Sequence, residues 1–264
     1  MKLNVLLAVP KGETDVRIVY DASQFGLNRC LWAPSFYLPS VEAHIRSTVE
    51  TSLMGDLDLG EMFLNFPLSL ALAPYCEIDL SPYVKEAKSW ERWERLMMGL
   101  KVSPYLAIEA THFAFEVVYG DRRDPLNVFH WTKVILNLPG SPEYEPTQPK
   151  VWKYNPITQG LVATVVACVD DLQTLGLSQS ECWQVMHRVA TILTALGIQV
   201  AGQKARAPTS KPRPWVGMVA WGDETGVCVR ATQVKWLKAK VQLETLHEEF
   251  EQYKAGTIEG LNLK

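Results

Sequence analysis

Nowhere in the 264 residues does an apolar run approach the length needed to cross a bilayer. The opening "MKLNVLLAVPKGE" has too short an apolar stretch for a secretion signal, and no small-residue cleavage site follows it. The expectation is an intracellular chain, cytoplasmic or nuclear, with no membrane partner. Cysteine is sparse: Cys30, Cys76, Cys168, Cys182 and Cys228 are odd in number and widely spaced. They read as buried thiols and argue against a disulfide framework or a cysteine-rich zinc site. The five histidines show no metal-ligand spacing either. An excess of basic charge is also missing. With 26 Lys and Arg against 29 Asp and Glu, the net charge of -3 excludes a surface that coats nucleic acid everywhere. Any such contact has to be local.

What the chain does have is apolar content, 47%, enough to bury a full core as one large domain or two small ones. "VRIVY" (16–20) reads as a strand, and 21–39 as a Pro-bounded loop leading to a helix at about 39–50. "LMGDLDLG" (53–60) reads as a strand closed by a glycine turn, with further strands at about 75–80 and 92–98. "SPYLAIEATHFAFEVVYG" predicts a helix with Ser103 at the N-cap, Pro104 at the first helical position, and Leu106, Ala110, Phe113 and Val117 on its apolar face. From about 121 to 160, Pro, Asn and Asp accumulate, the mark of an exposed excursion. "VATVVACV" and "LQTLG" then read as two strands around Asp170 and Asp171. In "SQSECWQVMHRVATILTALG", Ser178 and Glu181 form a capping box, Cys182, Val185, Met186, Val189, Leu193 and Leu196 an apolar face, and Gly197 a stop. Strands at about 214–220 and 226–230 flank "GDETG", and a charged helix covers about 232–254. Helices backing a mostly antiparallel sheet define an α+β class.

Two like charges leaving an apolar strand need an explanation. Asp170 and Asp171 are either hairpin-turn residues or part of a two-metal site, where divalent cations neutralise neighbouring carboxylates. "MGDLDLG" supplies Asp56 and Asp58, two apart and therefore on one strand face. Asp58 either caps the Gly60 turn or joins Asp170 on a metal.

"DLGEMFLNFPL", then "MGLKVSP", then "CVDDL" resembles, in order and spacing, the three central palm motifs of reverse transcriptases. "RIVYDASQFGLN" resembles the family's fingers stretch, in which an Arg four residues before an Asp precedes a Leu-Asn pair. "LGIQVAGQKARAPTSKPRPWVGM" resembles the elements after the active site, and the matching segments run from about residue 10 to 235. The resemblance implies a right-hand polymerase: a fingers-like segment at 1–50, a palm at 51–230 interrupted by the excursion, and at 231–264 the start of a thumb that is largely absent. Nothing in the sequence resembles a ribonuclease H or integrase domain. The implied activity is extension of a primer 3'-hydroxyl with deoxynucleoside triphosphates on an RNA or DNA template. It uses two Mg²⁺ ions, with Mn²⁺ as a substitute, in a retrotransposon-type protein partnered by further domains of a longer polyprotein.

By the same resemblance Asp58 and Asp170 would bridge the metals, and Asp171 would be the third acidic ligand or else a solvated turn residue. Asp56 is a reserve, because the fifth residue after it is Glu61 and not an aromatic. Phe63 sits where the family places its sugar gate; the alternative is ordinary core. Arg17, assisted by Lys11, would clamp the triphosphate, or else be a strand surface residue. Met98 and Gly99 fall at the nucleotide. Ser103 and Pro104, with Trp215 and Gly217 of the terminal hairpin, fall at the template and primer groove. Lys204 is either the proton donor to pyrophosphate or a solvated lysine. Two departures stand out: Cys168 where the family carries an aromatic, and Met98 where it carries Gln. With the missing thumb they leave open a catalytically silent, retroelement-derived nucleic-acid-binding module. An RNA-dependent RNA polymerase fits less well, since Phe63 is not the polar residue such enzymes use for ribose.

Overall fold

A computed structural model describes residues 5–11, 13, 15–24, 26–38, 45, 48–49, 52–81, 84, 89–142, 144–146, 148–223 and 226–257. The helix expected near 39–50 falls almost wholly outside them. The chain opens with a hairpin of β1 (Val5–Lys11) and β2 (Asp15–Asp21), registered from Val5 opposite Asp21 to Lys11 opposite Asp15. β1 was not expected from sequence, where the same residues were noted only as an apolar stretch too short for a secretion signal. A single helical turn, α1 (Leu27–Cys30), follows.

The central layer is a four-stranded antiparallel sheet. β3 (Leu53–Asp58) leads into it, and a small hairpin of β4 (Glu77–Asp79) and β5 (Trp90–Arg92) precedes α2 (Ser103–Tyr119). The strand expected at 92–98 is therefore displaced. Beyond Arg92 the backbone makes scattered bonds to other segments, as Trp93 N–H to Cys76 O at 3.1 Å and Leu96 N–H to Phe66 O at 2.8 Å. The excursion is not bare loop: β6 (Lys133–Leu136), β7 (Val151–Asn155) and β8 (Gly160–Leu161) form an antiparallel sheet of their own. β9 (Thr164–Cys168) and β10 (Asp171–Gly176) return the chain to the central layer. α3 (Gln179–Ala195) packs behind it, and β11 (Arg206–Thr209) completes the order β11-β3-β10-β9.

α3 begins where its caps dictate. The Glu181 N–H donates to Ser178 Oγ at 3.1 Å, and the Glu181 carboxylate accepts from Leu177 N–H. Cys182, Val185, Met186, Val189 and Leu193 are buried against the sheet, whereas Leu196, expected with them, is exposed beyond the last turn. Burying Val185, Met186, Val189 and Leu193 contributes about 6–12 kcal/mol gross, at roughly 1.5–3 kcal/mol per side chain. Gly55 of β3 permits the contact: a Cβ there would overlap Met186 Sδ.

α2 corrects the face expected from sequence. Leu106, Phe113 and Val117 are exposed, and the buried stripe is Ala107, Ile108, Thr111, Ala114, Phe115 and Val118. The helix is apolar on several sides, and the face with small residues is the one that lets its backbone approach its neighbours. Ser103 is likewise not the N-cap. It is the first helical residue, fully buried, and its Oγ accepts the Met97 N–H at 3.3 Å.

The strand expected at 214–220 is two strands, β12 (Arg213–Trp215) and β13 (Met218–Asp223), joined by a turn in which Val216 and Gly217 both have positive φ. β14 (Gly226–Ala231) completes that sheet, and α4 (Gln233–Lys254) follows with every residue at least partly exposed. None of the helices among the described residues is long and apolar enough to cross a membrane.

Candidate active site

The site is built where β3, β9 and β10 end together. Cys168 pairs with Asp171, so Val169 and Asp170 are the two loop residues of a tight hairpin. Such loops demand positive φ, normally met by Gly or Asn, yet here a β-branched residue meets it: Val169 has φ 59°. The turn thus stores strain at the tip carrying Asp170. Asp171 opens β10 directly opposite Asp58, the last residue of β3. The Leu59 N–H donates to Asp170 O at 2.8 Å, tying the hairpin tip to the end of β3. Asp58, Asp170 and Asp171 are in this way held at one end of the sheet by backbone register.

Their charges act on one another. The Asp171 carboxyl is raised above the ordinary aspartate value, first by burial, then by the neighbouring charges of Asp170 and Asp58, with Lys204 opposing. The Cys168 thiol is raised by burial and by Asp171 and Asp170. Lys204 is raised in turn, chiefly by its hydrogen bond to Asp58 and then by the three aspartate charges, against partial desolvation. Its Nζ lies 2.8 Å from Asp58 Oδ1 and 2.9 Å from Oδ2. The lysine gets there because residues 199–201 run beside the end of β3: the Gly60 N–H donates to Gln199 O and the Ala201 N–H to Asp58 O, both at 2.8 Å.

Asp56, the reserve ligand, is committed elsewhere. Its carboxylate is buried, takes Arg206 Nε at 2.9 Å and an Arg213 guanidinium nitrogen at 3.3 Å, and accepts from Gln173 Nε2 at 2.8 Å. It is a structural anion that fastens β11 and β12 to β3 and β10.

Beside the hairpin tip opens a cleft of about 460 Å³. Its walls bring together Lys11 and Arg17 from the first hairpin, Phe63 from the 3₁₀ turn Met62–Asn65, and Met98, Asp170 and Lys204. Lys11 is neutralised by Glu61 at 3.2 Å, a residue whose φ of 44° marks the sharp exit from β3. Arg17 is exposed at the rim and has no ion pair among the described residues. Phe63 both lines the cleft and packs on the core, so the two readings of that residue coexist.

The other expected residues are supports and not walls. Gly99 has φ 102°, and a Cβ there would overlap the Tyr20 carbonyl. The close approach is locked by Tyr20 N–H to Met98 O at 2.8 Å and by Asn28 Nδ2 to Gly99 O at 2.9 Å. Asn28, visible in sequence only as half of a Leu-Asn pair, thus fastens the first segment to the Met98–Gly99 turn. Ser103 and Trp215, expected at the template and primer groove, are buried. Pro104 and Gly217 follow in the chain close behind them and do not line the cleft. Gly217 lies under Lys235, where a Cβ would collide.

Among the described residues no three His, Cys, Asp or Glu side chains are gathered as a ready-made metal cage. The donor chemistry nevertheless suits a hard divalent cation, which prefers carboxylate oxygens. The charges of Asp58, Asp170 and Asp171 repel one another, and Lys204 is drawn onto Asp58.

No family model matches the sequence, and no curated protein does. Among solved structures the fold is similar to that of a foamy viral protease-reverse transcriptase in complex with double-stranded DNA. The TM-score is 0.62 at 16% identity, over 99% of this chain and 40% of that one. The chain thus spans less than half the length of the protein it matches, and at that identity the likeness speaks for the fold alone.

Proposed function

We propose that the chain is a reverse-transcriptase-like module, fingers and palm, that adds deoxynucleotides to a primer 3'-hydroxyl on an RNA or DNA template. The observation that carries this reading is the convergence of Arg17, Phe63, Asp170 and Lys204, from four separate parts of the chain, on one nucleotide-sized cleft. The similar fold of a reverse transcriptase bound to duplex DNA supports it. Asp58, Asp170 and Asp171 are the residues that would hold Mg²⁺. Bound there, the cations would lower the pKa of the attacking hydroxyl and neutralise charge on the triphosphate. Arg17, which has no ion pair among the described residues and lines the same cleft, grips the phosphates with its planar guanidinium. Phe63 packs beneath the sugar and fills the volume a 2'-hydroxyl would need. Lys204, held protonated by its aspartate neighbours, delivers a proton to the departing pyrophosphate.

The Lys204–Asp58 pair favours one second reading, a catalytically silent nucleic-acid-binding module, because the ammonium engages both oxygens of a proposed metal ligand. A single-nucleotide incorporation assay on a primed RNA template with Mg²⁺ separates the two. Incorporation that falls on the order of 100-fold or more in Asp170→Asn supports the polymerase, as loss of several kcal/mol of charge stabilisation would. Template-primer binding without incorporation by the unmodified chain selects the silent module.

A further inference from the structure

A second cavity, of about 300 Å³, lies outside the cleft, between the C-terminal end of α2, the β6–β8 sheet and the start of β9. Tyr119, Phe129, Trp131 and Trp152 supply its aromatic walls, with Arg122 and Lys153 among them. Tyr119 and Phe129 meet edge to face at 4.9 Å between centroids, which fixes the orientation of both rings. Cations are parked on ring faces: Arg122 lies 4.6 Å over Tyr119 and Lys153 lies 5.5 Å over Trp131. The strands β6, β7 and β8 carry Lys133 and Lys153 and no acidic residue, and neither lysine has an ion pair among the described residues. The indole Nε1 atoms of Trp131 and Trp152 are buried, with no hydrogen-bond partner among the described residues.

Flat rings with the cations of Lys153 and Arg122 beside them, the latter also paired with Glu116 at 3.5 Å, suit one ligand chemistry: a planar ring attached to an anion. We infer that this pocket is a stacking site for an unpaired base of a single-stranded nucleic acid, with Lys153 and Arg122 at the adjoining phosphate. The choice of ligand class rests on the nucleic-acid reading above. The site itself is separate, since Thr164 is four residues, about 13 Å of strand, from Cys168 at the carboxylate hairpin. A duplex hides its base faces, so the pocket discriminates against it. A proline-rich peptide could use the rings but not the cations.

The test is fluorescence anisotropy of the full chain with labelled dT12, a 12-base-pair duplex and a proline-rich peptide. Base stacking is worth about 1–3 kcal/mol, so Trp152→Ala weakens dT12 binding roughly 5- to 150-fold. Trp152→Phe, which keeps a stacking face but loses the N–H, weakens it less. Lys153→Ala changes an exposed residue, leaves folding intact, and lowers the salt slope by about 1. Unchanged dT12 binding and salt slope in the Trp152 and Lys153 variants overturn the inference, as does preferential binding of the peptide or duplex. Asp170→Asn separates this site from the proposed activity. It abolishes incorporation and leaves Trp152-dependent binding intact. Trp152-dependent binding in a chain that never incorporates sinks the polymerase reading alone; incorporation with Trp152-independent binding sinks this inference alone.

Discussion

Replacing Lys204 with Met puts the two proposed roles of that residue into opposition. Its Nζ makes hydrogen bonds of 2.8 and 2.9 Å to both Asp58 oxygens. At such a distance two unit charges interact by about 6 kcal/mol in an effective dielectric of roughly 20. The lysine side chain is 57% exposed against 13% for Asp58, so solvent screens most of that and leaves about 1–2 kcal/mol. A divalent cation bound at Asp58 has to displace this ammonium. Lys204→Met therefore tightens Mn²⁺ binding, measured by isothermal calorimetry without nucleotide, about 5- to 30-fold. Lys204 also lowers the Asp171 pKa, so its removal moves the pH midpoint of metal binding upward. Nucleotide incorporation moves the other way and falls about 100-fold, because the proton donor is lost. Unchanged or weaker Mn²⁺ affinity in the variant would refute the competition between lysine and metal.

Asp171→Asn should stabilise the metal-free protein at neutral pH. The folded pKa is raised, so the folded state binds more protons than the unfolded one between about pH 4 and the raised value, and stability falls as pH rises through that window. Urea midpoints of the variant exceed those of the unmodified chain at pH 7 and match them below about pH 4; an equal offset at both pH values contradicts the electrostatic account. Gly99→Ala combines left-handed strain with overlap on the Tyr20 carbonyl and should cost about 2–4 kcal/mol in urea denaturation, whereas a cost under about 1 kcal/mol shows that the turn is not pinned. Phe63→Val should admit ribonucleotides in primer extension, and unchanged sugar discrimination removes its role as gate.

The parts of the fold legible in sequence are those fixed by local chemistry. Ser178, Glu181 and Gly197 delimit α3, and the apolar runs before Asp58 and on either side of Asp170 place the first at a strand end and the second in the turn between two strands. What escaped depends on neighbours distant in sequence. The buried face of α2 was misassigned because large apolar residues lie on its exposed side, while small ones set the packing distance. β1 owes its pairing to β2, and the β6–β8 sheet is hidden by a composition of turn formers. At the site, the order of motifs brought Asp58, Asp170, Arg17, Phe63 and Lys204 to notice. The commitment of Asp56 to Arg206 and Arg213, the bracing by Asn28 and the strain at Val169 leave no local signal. A positive φ at a valine is imposed by the two-residue hairpin, not announced by the residue.

The most direct test is to count Mn²⁺ ions by electron paramagnetic resonance in the presence of a deoxynucleoside triphosphate and a primed template. If Asp58, Asp170 and Asp171 gather cations about the triphosphate, about two ions bind per chain and Asp170→Asn loses at least one. Binding of no more Mn²⁺ than the nucleotide carries by itself, unaltered by Asp170→Asn, would contradict a catalytic role for the three aspartates.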